Sequence, residues 1–485
     1  MATDVRSAAG SDVSVEREAL AWMDDPYAHF GSSVTAMQSL DRDHVEAVQL
    51  AGLNMRLADR REKIRTLGKL ADAQGIGTLA SIDDVAPLMF RHDIYKSYPV
   101  SLLAKQRFDQ LSTWLSRLTP YDCSQLDVSH CQSIDEWLTV IQAETPLDVA
   151  TSSGSSGTCS FFPKSKKDYL FFAKSIRPQL LQTFGEAASD ADLHDKIHVL
   201  TPLHRDGHAA SGRTGQYLKQ AFAFGDDAYF HPCFDHKVSA DLQWLAARVR
   251  AAAAKGDATR VDVPPALLAR RAEWEAEQKD MPAQQTEFLL RKTRELAGQR
   301  VLSMGMTIML HSVAKRGLAD GLRSAFGAGS QVMGGGGAKG VVLPPDHKQV
   351  ICDFFGAERM RVAYGMTELN TMLLNCEHDR YHLLPWVIPY LLDLETGQPL
   401  PRKGRQQGRA AFFDLSQDGT WGGVVSGDLA TIDWDTPCAC GRVPVAVEID
   451  IQRLSELQGG DDKITCAAQP AAHAEAMDFL TGTGG

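Results

Sequence analysis

Cysteine is scarce in this chain: nine in 485 residues, an odd count too thin for a disulfide framework. Long hydrophobic runs are lacking as well. The longest apolar-rich stretches, residues 301–310 and 383–394, fall short of the ~18 residues that a spanning helix needs, and Gly, Pro or polar residues break both. The first 22 residues, MATDVRSAAGSDVSVEREALAW, contain no apolar run of the kind a secretory signal uses. Positive charge is in deficit, with 50 Lys and Arg against 61 Asp and Glu and a net charge of −11. That balance opposes general binding to nucleic acid or to an anionic membrane. These absences predict a soluble cytoplasmic protein with neither partner. What is present is ordinary globular composition, 44% hydrophobic and 23% charged, enough to bury large cores.

Residues 14–119 read as mostly helical, with Ile64, Leu67, Leu70 and Ala71 at helical spacing in a predicted helix over 56–74. Pro87, Pro99 and Pro120 divide this region into short elements. From Val149 the texture changes to short apolar segments, 196–200, 301–310, 331–333, 361–363 and 408–413, alternating with helical patterns and Gly-rich turns. That alternation predicts an α/β architecture. A charged, Ala-rich stretch at 239–299 interrupts it and reads as a helical insertion. Beyond Ala430 lie a strand-like 443–451, a possible helix over 471–480 and a Gly-rich tail.

The most informative segment is Ala150-Thr-Ser-Ser153-Gly154-Ser155-Ser156-Gly157-Thr158. Glycines let a backbone approach a ligand closely, and short hydroxyl side chains add donors, so the segment reads as an anion nest or as a flexible linker. Lys164, in Pro163-Lys-Ser-Lys-Lys167, follows as a source of positive charge. Neither the Walker nor the Rossmann glycine pattern occurs in the segment. Three further turns each follow an apolar strand: Gly334-Gly335-Gly336-Gly337-Ala-Lys339, Tyr364-Gly365-Met366-Thr367-Glu368, and Ser426-Gly427-Asp428. Open α/β sheets gather ligand sites at such strand ends.

Taken in order, these four motifs resemble the adenylate-forming superfamily of acyl-CoA synthetases, firefly luciferase and nonribosomal adenylation domains, over residues 149–463. The Cys438-x-Cys440-Gly-Arg442 segment, the short length and the abbreviated C-terminal region resemble one branch of it. That branch holds phenylacetate-CoA ligase, the acyl-protein synthetase of bacterial luminescence and the adenylating enzymes of phenazine pathways.

The resemblance implies a multi-sheet α/β fold whose large N-terminal domain begins with a mostly helical part (1–148). A nucleotide- and acyl-binding core follows (149–429, interrupted at 239–299), then a reduced C-terminal domain (430–485). It implies ATP-dependent activation of a carboxylic acid, aryl or fatty or of secondary-metabolite type, as acyl-AMP with release of pyrophosphate. The acyl group would then pass to a carrier-protein thiol, to an amine, to free CoA or to a reductase partner. A non-catalytic nucleotide-binding subunit of a biosynthetic complex is the rival reading.

The same resemblance assigns roles. Ser153 to Thr158 would cradle the β- and γ-phosphates, and Glu368 would hold Mg²⁺ with the Thr367 or Thr158 hydroxyl nearby. Tyr364 would stack on adenine, and the backbone of Gly335, Gly336 and Gly337 would line the purine pocket beside Gly365 and Met366. Asp428 would accept hydrogen bonds from the ribose hydroxyls, and Arg442 or Arg453 would contact phosphate or ribose. His204 would border the substrate carboxylate. Lys164 sits further from the glycines than the family pattern has it, and Lys463 is the one candidate for the usual late catalytic lysine. Separately, Cys376, His382, Cys438 and Cys440 form a loose Cys₃His set suited to a structural zinc.

Overall fold

The computed structural model describes residues 4–153, 158–254, 256, 263–335 and 342–457. Within them the strands are, in chain order, β1 (Phe90–Arg91), β2 (Ala150–Ser153), β3 (Cys159–Phe162), β4 (His198–Gly207), β5 (Phe230–Val238) and β6 (Val301–Met306). There follow β7 (Gln331–Gly335), β8 (Met360–Tyr364), β9 (Leu373–Leu374), β10 (Arg380–His382) and β11 (Val387–Leu392). Last come β12 (Arg405–Asp414), β13 (Gly423–Asp433), β14 (Ala446–Glu448) and β15 (Gln452–Arg453).

A six-stranded sheet has the order β5-β4-β6-β7-β8-β9 and is parallel except for β9. Its helices pack on both sides in the manner of parallel sheets. Val313, Ala314, Ile351 and Phe354 bury against Val301 and Val332 in one cluster, and Ile176, Leu218 and Phe222 against Val199 and Leu302 in another. A seven-stranded, mainly antiparallel sheet runs β10-β14-β13-β12-β11, with β1 and β15 also on β13. The N-terminal helices close over it, burying Trp22, Leu53, Leu57 and Leu67 in a core shared with Tyr390, Phe412 and Trp421.

Element types at the expected segments match well, and boundaries move. The predicted helix over 56–74 is two helices, Arg42–Lys63 and Arg65–Gln74, divided at the extended, fully buried Ile64. The apolar stretch 301–310 is a strand to Met306 and then the helix Thr307–Ala319, an ambiguity that a short apolar run cannot resolve by period. The helices Ala240–Ala254, Pro265–Ala269 and Arg271–Glu295 occupy 239–299. The expected boundary at 429/430 falls inside β13, so Ala430 to Glu456 continues the seven-stranded sheet. The strand expected over 443–451 shortens to β14, and 471–480 lies outside the described residues. Among the described residues no helix is long and apolar enough to cross a membrane.

One packing feature carries a pH dependence. Asp241, in the first turn of the helix Ala240–Ala254, accepts hydrogen bonds from Ile134 N and Asp135 N at the start of the helix Ile134–Glu144. Asp135 in turn accepts from Ser239 Oγ and Ala240 N, so each helix caps the other. Burial, and then the neighbouring Asp135 carboxylate, push Asp241 up to about 7. A folded-state pKa above the unfolded one stabilises fully at low pH and loses that contribution as pH rises toward 7. The melting temperature is therefore expected to drop by a few °C between pH 5 and pH 7.5 through this group. Asp241→Asn should flatten that slope in calorimetric scans.

Candidate functional site

The hairpin β2–β3 pairs Ala150 with Phe162 and Ser153 with Cys159, which holds the two ends of the Gly/Ser loop together. Ser153 closes β2, and Thr158 sits half-buried before β3. Gly154, Ser155, Ser156 and Gly157 lie outside the described residues. The hairpin, the turn after β8 and the end of β15 face a cleft of about 960 Å³. Ser152 and Ser160 line it from the hairpin, Gly365, Met366, Thr367 and Glu368 from the turn, and Gly427 and Arg453 from the opposite sheet.

A buried polar network fixes the turn. Lys164 Nζ donates to Leu369 O at 2.9 Å and to Asn370 Oδ1 at 2.8 Å. Asn370 donates from its backbone to Asp414 Oδ2 and from its side chain to Asp168 Oδ1. Gln417 Nε2 donates to Glu368 O at 2.8 Å. Asp168 also accepts from Ser165 N, Asp418 N and Gly419 N. Gly419 is required there, because a Cβ at that position would lie 2.0 Å from Pro163 O. A network with its members this fully paired rigidifies what it holds. Loss of hydration pushes the Glu368 carboxyl above its ordinary value and the Lys164 ammonium below its own.

The half-buried Glu368 carboxylate and the neighbouring Thr367 hydroxyl supply the hard oxygen donors that Mg²⁺ takes. A cation at that carboxylate would offset its lost hydration. Lys164 lines the cleft, but its ammonium is bonded to Leu369 O and Asn370 Oδ1, so it supports the turn that follows Glu368.

Tyr364 ends β8, and its hydroxyl donates to Asp428 Oδ2 at 2.9 Å. The other oxygen of Asp428 pairs with Arg453 Nε at 3.1 Å, as their register on β13 and β15 dictates. Asp428 is buried while Arg453 is 56% exposed. Arg453 lines the cleft, whereas Asp428 and Tyr364 are not among the residues lining it. Burial and the adjacent Asp428 hold the Tyr364 phenol well above its ordinary value, so it stays a neutral donor.

A second cavity, about 350 Å³, adjoins the cleft through Gly365 and Met372 and is lined by Gly334 and Gly335 at the end of β7. Gly336 and Gly337 lie outside the described residues, as does Lys463. His204 is on β4, stacked on Phe234 of the adjacent strand at 4.7 Å, and it is not among the residues lining either cavity.

The four candidate zinc ligands converge, with their donor atoms all within 4.8 Å of one another. Cys376 Sγ and Cys438 Sγ are 3.8 Å apart, the separation of about 3.8 Å that two thiolates take on a tetrahedral zinc. Cys440 Sγ lies 3.2 Å from His382 Nε2. His382 Nδ1 donates to Val443 O at 3.2 Å, which leaves the Nε2 lone pair for a metal.

Arg442 belongs to this corner. Its Nε donates to Gln38 Oε1, its Nη1 pairs with Glu377 Oε2 at 2.7 Å, and it lines a small polar recess with Cys376 and His382. Of the two arginines considered for phosphate or ribose, only Arg453 lines the cleft. The adjacency of Arg442 to Cys440 was the clue in the sequence. Residues the motifs did not flag also line the cleft: His92 and Lys96 from the short helix His92–Lys96, and Ser211 and Thr214 from the helix Ala210–Ala223. No turn motif marks them.

Among solved structures, the chain is similar to 2-hydroxyisobutyryl-CoA ligase in an open conformation with 2-HIB-AMP and CoA. The TM-score is 0.51 at 12% identity, over 87% of this chain and 73% of that one. The same ligase in its thioesterification state, with the same two ligands, gives 0.50 at 13% identity over 86% and 70%. No family model and no curated protein matches the chain. The mixed multi-sheet α/β architecture is a fold shared with that ligase.

Proposed function

We propose that the chain is an ATP-dependent ligase that activates a carboxylic acid, aryl or fatty, as acyl-AMP and passes the acyl group to a thiol or amine. The observation that carries this reading is the convergence on one cleft of the Thr367–Glu368 turn, the hairpin serines and Arg453, which pairs with the buried Asp428 behind it. In the first step a carboxylate oxygen attacks the α-phosphorus of ATP, a P–O bond breaks, and pyrophosphate leaves. Attack of one anion on another needs alignment and charge neutralisation more than covalent help.

Mg²⁺, when bound at Glu368 and Thr367, would neutralise phosphate charge. Ser152, Ser160 and the loop they flank would position the phosphates, and Asp428, released from Arg453, would take the ribose hydroxyls. Zinc at Cys376, His382, Cys438 and Cys440 is proposed as structural, because four protein ligands leave no open position. The resemblance to ligases of this kind also supports a carrier protein, free CoA or a reductase as the route of hand-over.

The test is ATP–pyrophosphate exchange with pooled carboxylic acids and Mg²⁺, without CoA. Acid-dependent exchange is expected. Protein that binds ATP but shows no exchange with any acid would favour the non-catalytic nucleotide-binding subunit.

A further inference from the structure

The cavity that adjoins the cleft differs from it in chemistry. Its walls are Pro202 and Leu203 of β4, Met304 and Met306 of β6, Met309 of the following helix, Met333 of β7 and Met372. Among the described residues no charged side chain lines it. The single polar side chain among the described lining residues is Gln285, and its amide donates to Pro202 O at 2.8 Å. The cleft, by contrast, carries Glu368, Lys164, Arg453, Lys96 and several hydroxyls. The two spaces meet at Gly365 and Met372, immediately beside the Thr367–Glu368 turn.

We propose that this cavity takes the acyl part of the substrate and restricts it to uncharged, apolar acids. This rests on the adenylation reading of the neighbouring cleft. A carboxylate placed at the junction for attack on a phosphate in the cleft has this apolar cavity as an outlet for the rest of the molecule. At the ~30 Å³ that a water-sized group occupies, about 350 Å³ holds roughly a dozen non-hydrogen atoms. The chain of a six-carbon acid lies along these apolar walls, where a second charge would exchange hydration for contacts that offer it no charged partner among the described residues. Five thioether side chains make the walls soft, so rings and chains of similar size fit alike.

The experiment uses non-reactive N-acylsulfamoyl adenosines carrying hexanoyl, adipoyl (a free distal carboxylate) and 6-aminohexanoyl groups, with affinity read by calorimetry. Hexanoyl is expected to bind at least 50-fold more tightly than either charged analogue, an order-of-magnitude figure for an uncompensated buried charge. Met304→Glu and, independently, Met309→Glu should weaken hexanoyl and strengthen 6-aminohexanoyl binding, an inversion that misfolding cannot produce. Equal binding of the three analogues, with adenosine recognition intact, would overturn the cavity assignment alone. Failure of every analogue to bind would overturn the adenylation reading and this proposal with it.

Discussion

Replacing Glu368 by Gln lowers acid-dependent pyrophosphate exchange by about a thousandfold and moves the melting temperature by no more than about 2 °C. The two halves of that expectation have separate physical sources. The turn is held through the backbone carbonyls of Glu368 and Leu369 and through Asn370, by Gln417, Lys164 and Asp414. None of those bonds uses the Glu368 carboxylate, so the isosteric amide leaves the scaffold standing. What disappears is the anionic ligand for the metal.

Lys164→Met is the contrasting variant. It leaves Leu369 O and Asn370 Oδ1 without their buried donor, so the turn loosens, melting falls by several °C, and exchange drops about tenfold through misplacement of Glu368. The pH profile separates the two further. Because burial raises the Glu368 pKa, protons compete with the cation at higher pH than for an ordinary carboxylate, and exchange falls as pH drops through that raised value. Glu368→Gln abolishes this acid limb, whereas Lys164→Met keeps it. A nucleotide-binding relic would show no change with either substitution in its residual ATP affinity, and no exchange to lose.

The parts of the site that were legible in the sequence are those whose geometry is local. A Gly-rich or Tyr-Gly-x-Thr-Glu turn directly after a short apolar strand needs only a parallel sheet to bring it to a common edge, and β7 and β8 do that side by side. Ser152 and Ser160 flank the loop by virtue of hairpin pairing alone. The parts that were not legible depend on side chains meeting across large sequence separations. Lys164 is a plausible phosphate ligand from its neighbours in the chain, and only the fold shows it donating to residues 205 and 206 positions away. Arg442 reads as a nucleotide contact until Gln38, 404 residues earlier, is seen accepting from it. His204 belongs to a strand whose register stacks it on Phe234, and a sequence does not reveal strand neighbours across a crossover helix. The apolar cavity is the extreme case, since its methionines come from four separate elements and none forms a motif.

Removal of the metal is the second large effect. Chelation, or Cys438→Ser, is expected to release one zinc per chain and to lower the melting temperature by about 10 °C or more. The size follows from what the quartet joins. Cys376 follows β9 at the edge of the six-stranded sheet, His382 ends β10 of the seven-stranded sheet, and Cys438 and Cys440 lie between β13 and β14. A metal here would clamp the two sheets together at the corner where Arg442 also ties Gln38 to Glu377. Without a metal, burial pushes the Cys438 thiol up to about 11, so that sulfur sits protonated. Zinc must displace that proton, so its apparent affinity should climb as pH rises, and chelators should strip it most readily at low pH. Cys352→Ser, at a buried thiol outside the quartet, is the control and should retain its zinc. If Cys438→Ser melts with the wild type and neither protein carries zinc, the quartet is a cluster of packed thiols. If chelated protein keeps its exchange activity at 20 °C while losing its resistance to heat, the metal holds the sheets and takes no part in the chemistry of the cleft.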